Sequence, residues 1–483
     1  MTCPAPTGPC PIRFSQTDPP NCLQNSQNGP LIMIQTRAFQ HAKEMARYPL
    51  GPNGKERFVY WSDVKRQWED SNDGRQIARL IGSQSILADK RGDLNNWLGG
   101  LDDAEKELGV AFHKFYENLV GVLTSLPITP DIEIDWLETL VDMRLLAARL
   151  NSGSRVLDLG PGAGRHMVAF ALAPQLAGLS YAGVEAIGLP YVLQNAAGSI
   201  LARDRAGLSF SDYLDYQFAR EPFVFEQTLN AGAFLHLPLW EAHRLPERSF
   251  DLILCTHLLD ELAPGDFTDM LGLIEKLLAP GGSVYARGSQ ERALASTRYL
   301  FGYGSFHGQD ITKAFLDIGL VPVECELVSD TLTRIFVRPP PGEAQPRVLE
   351  NPISAFASDV ELVETLQRRF LDDVVGELER KQARVLVWGD PGYEVFSSYF
   401  APYRDRLNIV GVTQRFAVQN SPTALGCVEY PVSEIAALSP DAVIFASPRL
   451  DSYVRELREA ALRSGEYRRV RHFCHPIAVA FRE

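Results

Sequence analysis

Three glycines in five positions, Gly160, Gly162 and Gly164, follow the branched apolar run RVLDL and precede the stretch RHMVAFAL. Glycine at this density weakens strand and helix alike, so the bare backbone points to a ligand that must come close. A strand, a glycine turn and a helix start present free N–H groups to such a ligand. Many nucleotide-binding folds share that turn, so the residues around it must narrow the chemistry.

Three acidic residues do so. Asp158 lies inside the strand just before the turn. A negative charge there opposes a pyrophosphate and welcomes an ammonium. Glu185 ends the next apolar run, SYAGVE, where a carboxylate can accept from two ribose hydroxyls. Glu241, in WEAHRLPERSFDLILCTHLLDEL, can accept from an adenine amino group while the Ala242 N–H donates to the ring. Ribose, adenine and an amino-acid ammonium together describe S-adenosylmethionine (SAM).

These residues need a frame. From 155 to 338, apolar runs read as strands (RVLDLG, SYAGVEA, FLHLPLW, FDLILCTH, GGSVYARG, RIFVRP) alternate with helical stretches. That alternation predicts an α/β fold with a doubly wound, parallel, Rossmann-like sheet over 151–338. The interval holding FSDYLDYQFAREPFVFEQ is too long for one crossover and reads as an insertion. Residues 1–30 read as a disordered arm and 31–150 as a helical region, with Asp131 expected at a helix start. Residues 339–350 are a proline-rich linker. Residues 351–483 read as a second, smaller Rossmann-like domain.

The order VLDLGPGAG, GVEA, WEAHRLPERSFDLILCTHLLDEL and LLAPGGSVYARG resembles the class I SAM-dependent methyltransferases over about 155–338. The resemblance implies that Asp158, Gly160, Gly162, Gly164, Glu185, Glu241 and Ala242 touch SAM. It also implies that Thr256 and His257 stand beside the methyl group. THLLDEL, GGSVYARGSQ and FGYGSFHGQDIT resemble bacterial sugar O-methyltransferases. The tail is similar to the Rossmann-like domain of sugar C-methyltransferases, but the cysteine-rich zinc module that those enzymes carry at the front is missing its spacing here. The tail's short turn GDPG and the strand end VTQ speak against a dinucleotide, so its expected roles are substrate binding or homo-oligomerisation.

Methyl transfer to a hydroxyl needs in-line positioning and removal of a proton. His307 and His257 are the candidate bases. Gln309 and Asp310 can bind sugar hydroxyls or orient His307, and HGQDIT reads equally well as a helix start with Asp310 near the N-cap. Tyr303, with Tyr299 and Phe306, can stack on a sugar, although packing is the plainer reading. Asp260 and Glu261 are weak candidates for Mg2+, since such a pair more often marks a helix start. His166 is expected in a first helical turn, facing the substrate side or solvent.

The whole chain agrees with a small-molecule acceptor. It has 483 residues, 45% hydrophobic and 22% charged, with a net charge of −13. That balance disfavours phosphate-mediated nucleic-acid binding. No apolar segment spans a bilayer and no secretory signal is read, so a cytoplasmic location is expected. The seven cysteines show no paired metal spacing. C- or N-methylation, and a catalytically idle SAM-binding scaffold, remain the alternatives.

Overall fold

The computed structural model describes residue 81 and residues 90–124, 129–213, 229–262, 264–289, 310–328, 331–340, 358–389, 394–413, 426–446, 469–474 and 477–482. Helices α1 (Lys90–Leu98), α2 (Asp103–Thr124) and α3 (Glu133–Leu146) precede the first strand. The start of α2 is a reciprocal cap. The Asp102 N–H donates to Glu105 Oε2 at 2.9 Å and the Glu105 N–H to Asp102 Oδ1 at 2.8 Å. Arg144 then ties α3 to this cap, its Nε donating to Glu105 Oε1 at 2.7 Å. Asp131 does not start α3: the position before the helix is Ile132, and no side chain caps it.

The main sheet contains β1 (Arg155–Leu159), β2 (Ser180–Glu185), β3 (Ser209–Asp212), β4 (Ala233–Pro238), β5 (Phe250–Thr256), β6 (Leu278–Ser289), β7 (Val321–Val328) and β8 (Thr331–Val337). Its spatial order is β3-β4-β2-β1-β5-β6-β8-β7. Between the strands run α4 (Arg165–Leu172), α5 (Gly188–Asp204), α6 (Pro264–Leu277) and α7 (Ile311–Asp317). Along β1, Val156 joins the layer of α2 to α5, while Leu157 and Leu159 join that of α6 and α7. This period of two buries Val156 on one face and Leu157 and Leu159 on the other, because both faces are covered.

Two expectations need correction. The sheet is mixed, because β8 runs antiparallel to both β6 and β7. A strand entering from a short turn after β7 must run back along it. The presumed insertion also begins as structure: β3 adds a parallel edge strand beside β4. The remainder of that segment, 214–228, lies outside the described residues.

The second unit comprises α8 (Asp359–Arg380), β9 (Arg384–Gly389), α9 (Glu394–Phe400), β10 (Asn408–Thr413), α10 (Ile435–Leu438), β11 (Ala442–Ala446), β12 (Arg469–Cys474) and β13 (Ile477–Phe481). Its sheet order is β10-β9-β11-β13-β12, parallel across the first three strands and antiparallel in the last two. It has its own core, including Val374, Val385, Phe396, Ile444 and Val479. No helix among the described residues is long and apolar enough to cross a membrane.

Candidate active site

The chain leaves β1 for β2 on one side, while β5 pairs with β1 on the other. This reversal of strand order opens a crevice at the carboxyl ends, where ligands of such sheets bind. The glycine turn stands there. Gly160, Gly162 and Gly164 have φ of +68°, +57° and +75°, a region that side chains disfavour. The turn is anchored below by the Gly160 N–H, which donates to the Val184 carbonyl at 2.9 Å. Their surroundings differ. A Cβ on Gly160 would meet Leu258 at 3.2 Å, and one on Gly164 would meet Gln194 and Met167 at 3.3 Å. A Cβ on Gly162 would meet nothing within 4 Å. The middle glycine therefore faces open space.

Glu185 ends β2 beside the turn and is buried. Its Oε1 accepts from the Ala186 and Ile187 N–H groups at 2.8 and 3.0 Å. Gln194 Nε2 donates to Oε2 at 3.2 Å and to the Gly162 carbonyl at 2.7 Å. Gln194 thus fixes the carboxylate against the turn. Burial pushes the Glu185 carboxyl up to about 7, against the lowering pull of the two backbone donors.

Glu241 and Ala242 lie buried in the 3-10 turn Leu239–Arg244 that follows β4, and Arg244 Nη1 donates to Glu241 Oε2 at 3.2 Å. Thr256 is the buried last residue of β5. His257 follows it with φ of +52°, a strained conformation for a side-chain-bearing residue, and its N–H donates to the Arg287 carbonyl at 2.7 Å. The structure thus gathers Gly160, Gly162, Gly164, Glu185, Glu241, Ala242, Thr256 and His257 at the carboxyl ends of β1, β2, β4 and β5.

Asp158 and His166 are placed differently from a simple ligand contact. Asp158 is fully buried; its Oδ2 accepts from Tyr181 Oη at 3.0 Å and faces His166 Nδ1 at 3.2 Å. Asp158 Oδ1 has no hydrogen-bond partner among the described residues. His166 faces neither substrate nor solvent. It is 1% exposed, and its Nε2 lies 3.0 Å from Asp142 Oδ2 of α3. The expectation failed because α3 covers this turn of α4.

Behind His166 lies a buried charge network that the sequence reading did not find. Arg287 of β6 contacts Asp142 Oδ1 at 2.8 Å and Glu138 Oε1 at 3.0 Å. Arg165 contacts Glu138 Oε2 at 2.7 Å and Asp142 Oδ2 at 3.4 Å. Tyr285 also donates to Asp142. Burial opposes the Asp142 charge, yet Arg287, His166 and Arg165 hold its carboxyl below the usual range. One signal was available: Glu138 and Asp142 stand four apart on α3 among apolar neighbours such as Leu137, Val141 and Leu145, so both carboxylates share one buried face.

The other candidates are quickly placed. Asp310 caps α7, its Oδ1 accepting from the Lys313 N–H at 2.8 Å. Tyr303, His307 and Gln309 lie outside the described residues, as do Tyr299 and Phe306. Asp260 packs against β6, where a Cβ on Gly288 would meet its carboxylate at 2.9 Å. Glu261 belongs to the 3-10 turn Leu259–Glu261, its side chain outside the described set. No group of three or more His, Cys, Asp or Glu residues that could hold a metal exists among the described residues.

The comparisons with known proteins bear on this crevice. Residues 137–323 match a methyltransferase domain. The match begins within α3 and ends in β7, so it includes the glycine turn and the buried network. Among solved structures, the chain is similar to an arsenic(III) S-adenosylmethionine methyltransferase of Chlamydomonas reinhardtii, with 19% identity and a TM-score of 0.29, over 41% of this chain and 66% of that one. It is also similar to a 1,6-didemethyltoxoflavin-N1-methyltransferase of Burkholderia thailandensis, solved with S-adenosylhomocysteine, with 16% identity and a TM-score of 0.27, over 42% and 77%. The [4+2]-cyclase SpnF is similar at 15% identity and a TM-score of 0.28, over 43% and 83%. No curated protein matches the chain in sequence.

The crevice at the glycine turn has features that suit SAM. Gly162 leaves room above the turn, Glu185 offers a second carboxylate oxygen, and Asp158 Oδ1 awaits a donor. A test follows from Glu185. Ribose hydroxyls favour its charged form, so bound protein holds fewer protons and affinity falls as pH drops below about 7. Glu185→Ala should weaken S-adenosylhomocysteine binding roughly 10- to 100-fold, the worth of hydrogen bonds to a charged group. Glu185→Gln should remove this acid limb for 5′-methylthioadenosine, which keeps the ribose and lacks the ammonium. Titration calorimetry from acid to neutral pH reads both.

Proposed function

We propose that the chain is a SAM-dependent methyltransferase acting on a hydroxyl of a small molecule, with a sugar or sugar-bearing natural product as the leading acceptor class. The observation that carries the reading is the open space above Gly162 flanked by the anchored carboxylate of Glu185. When bound, SAM supplies an electrophilic methyl on a sulfonium leaving group. The chain's own task is to hold the acceptor oxygen in line and take its proton.

His257 is the described candidate for that proton. It stands at the tip of β5 in a left-handed conformation fixed by the Arg287 carbonyl. His307 is the second candidate, with Gln309, Asp310 and Tyr303 as acceptor contacts. The capping role of Asp310 leaves Gln309 and Tyr303 as the more direct of these. The net charge of −13 supports a small acceptor rather than a nucleic acid. The second unit is assigned to acceptor binding or self-association, and the location is cytoplasmic.

Methyl-labelled SAM and a panel of hydroxylated acceptors test the proposal. Label on oxygen is the expected result, and His257→Asn should lower turnover about 100-fold with little change in S-adenosylhomocysteine affinity, as for loss of a general base. Label on nitrogen or carbon would refute the hydroxyl acceptor. Tight cofactor binding without turnover across the panel would favour a scaffold.

A further inference from the structure

His166 is the one buried imidazole that bridges two buried carboxylates among the described residues, Asp142 on one nitrogen and Asp158 on the other. A neutral imidazole has one N–H and can donate to only one of them; an imidazolium donates to both. The surrounding charges point the same way. Glu138 and Asp142 come from α3, Asp158 from β1, Arg165 from α4 and Arg287 from β6. Three buried carboxylates therefore face two guanidinium groups, with Asp135 of α3 a further negative charge acting on Arg165, so the surroundings carry more negative than positive charge and favour a protonated His166. Tyr116, Tyr181 and Tyr285 supply neutral hydroxyls around the cluster, and Phe170 stacks on the His166 ring. Although burial opposes the charge, Asp142 and Asp158 raise the His166 pKa above its ordinary value.

Asp158 has one oxygen engaged by His166 and Tyr181 and one without a partner among the described residues. It is the penultimate residue of β1, with Leu159 between it and the first glycine of the turn. We propose that the cofactor's ammonium and the His166 proton share Asp158, so that binding the amino-acid end of the cofactor drives a proton off His166. His166 is on this account a positioning residue. Its contact fixes Asp158 Oδ2, so that the cofactor's ammonium would take the buried Oδ1, and it ties the carboxylate through Asp142 to α3.

The inference rests on the SAM reading. It predicts a linkage of definite sign. A cation brought to Asp158 repels the imidazolium and lowers its pKa, so the bound state holds fewer protons. Affinity for a ligand with an ammonium must then rise with pH until His166 is neutral in the free protein. Glu185 also titrates in this range, so a control ligand must keep the ribose and lack the ammonium. 5′-Methylthioadenosine is such a ligand.

The experiment is calorimetric titration of the full chain with S-adenosylhomocysteine and with 5′-methylthioadenosine, from about pH 6 to 7.5, where the ligand's α-amino group stays largely protonated. The ratio of the two affinities should rise roughly three- to tenfold per pH unit. In His166→Asn the ratio should be flat. Titrating unaltered protein in two buffers of different ionisation enthalpy should show up to one more proton released with S-adenosylhomocysteine than with methylthioadenosine, a readout that needs no variant. A flat ratio with equal proton release, or the same rise in a folded His166→Asn, would overturn the inference while leaving the cofactor reading intact. Failure of both ligands to bind would overturn the cofactor reading, and the inference with it.

Discussion

Gly162→Trp is expected to abolish binding of S-adenosylhomocysteine, weakening it about 1000-fold or more, while the protein stays folded. The reasons lie in the turn. A side chain leaving Gly162 enters space that no protein atom occupies within 4 Å. The first carbon of the indole side chain therefore leaves the turn without a clash, and its backbone cost is the positive φ of +57°, about 1–2 kcal/mol for a residue with a Cβ. The cofactor has no such room. An indole over the turn occupies the volume in which SAM would lie and removes the close approach that glycine permits. Gly160→Trp would give an ambiguous result, since its Cβ already meets Leu258 at 3.2 Å. Circular dichroism and calorimetric titration of Gly162→Trp check both halves. Unchanged affinity in a folded variant would mean the ligand does not use this turn.

Arg287→Met should lower stability by about 3–5 kcal/mol, the usual effect of removing one partner of a buried ion pair. Arg287 is the largest buried cation of the network and meets two carboxylates on α3. Without it, Glu138 and Asp142 face Arg165 and His166 alone. Domains are stable by only about 5–15 kcal/mol, so the loss would bring the unit built on the main sheet close to unfolding at room temperature. Glu138→Gln placed on top of Arg287→Met should recover part of the loss, because one of the two stranded charges is gone. Urea denaturation of the three proteins measures this. A loss under 1 kcal/mol would show that the network is not held as described. If the double variant fell further than the single one, stranded charge would not be the cause.

The legible parts of this molecule were those where backbone geometry leaves a mark on residue type. Three positions with positive φ at the end of an apolar strand favour glycine, so the turn over 160–164 could be read directly. The carboxylate of Glu185 stands at a strand tip fixed by the same alternation. The edge strands left weaker marks. β3 is Ser-Phe-Ser-Asp, polar and partly exposed, because only one of its sides pairs. β7 contains Pro322 and a register shift, features of an edge position that break the strand pattern. The antiparallel turn-back of β8 follows from that hairpin and not from any residue type in RIFVRP.

The buried network was illegible for another reason. Glu138 and Asp142, Arg165, and Arg287 lie in three separate stretches of sequence, and a charged residue read alone belongs to solvent. Only the packing of α3 and α4 against β1 and β6 brings opposite charges together and makes burial tolerable. His166 shows the same limit at one position. Its place just after the glycine turn suggested a role at the crevice, whereas the covering helix α3 makes it a link between Asp142 and Asp158.

The most direct test of the account is calorimetric titration of the purified chain with S-adenosylhomocysteine, with NAD and a UDP-sugar run in parallel. The account predicts roughly micromolar affinity for S-adenosylhomocysteine, about −8 kcal/mol, and no heat from the other two. Binding of NAD or the UDP-sugar without S-adenosylhomocysteine would contradict it, and would mean that Asp158 and Glu185 serve a different ligand.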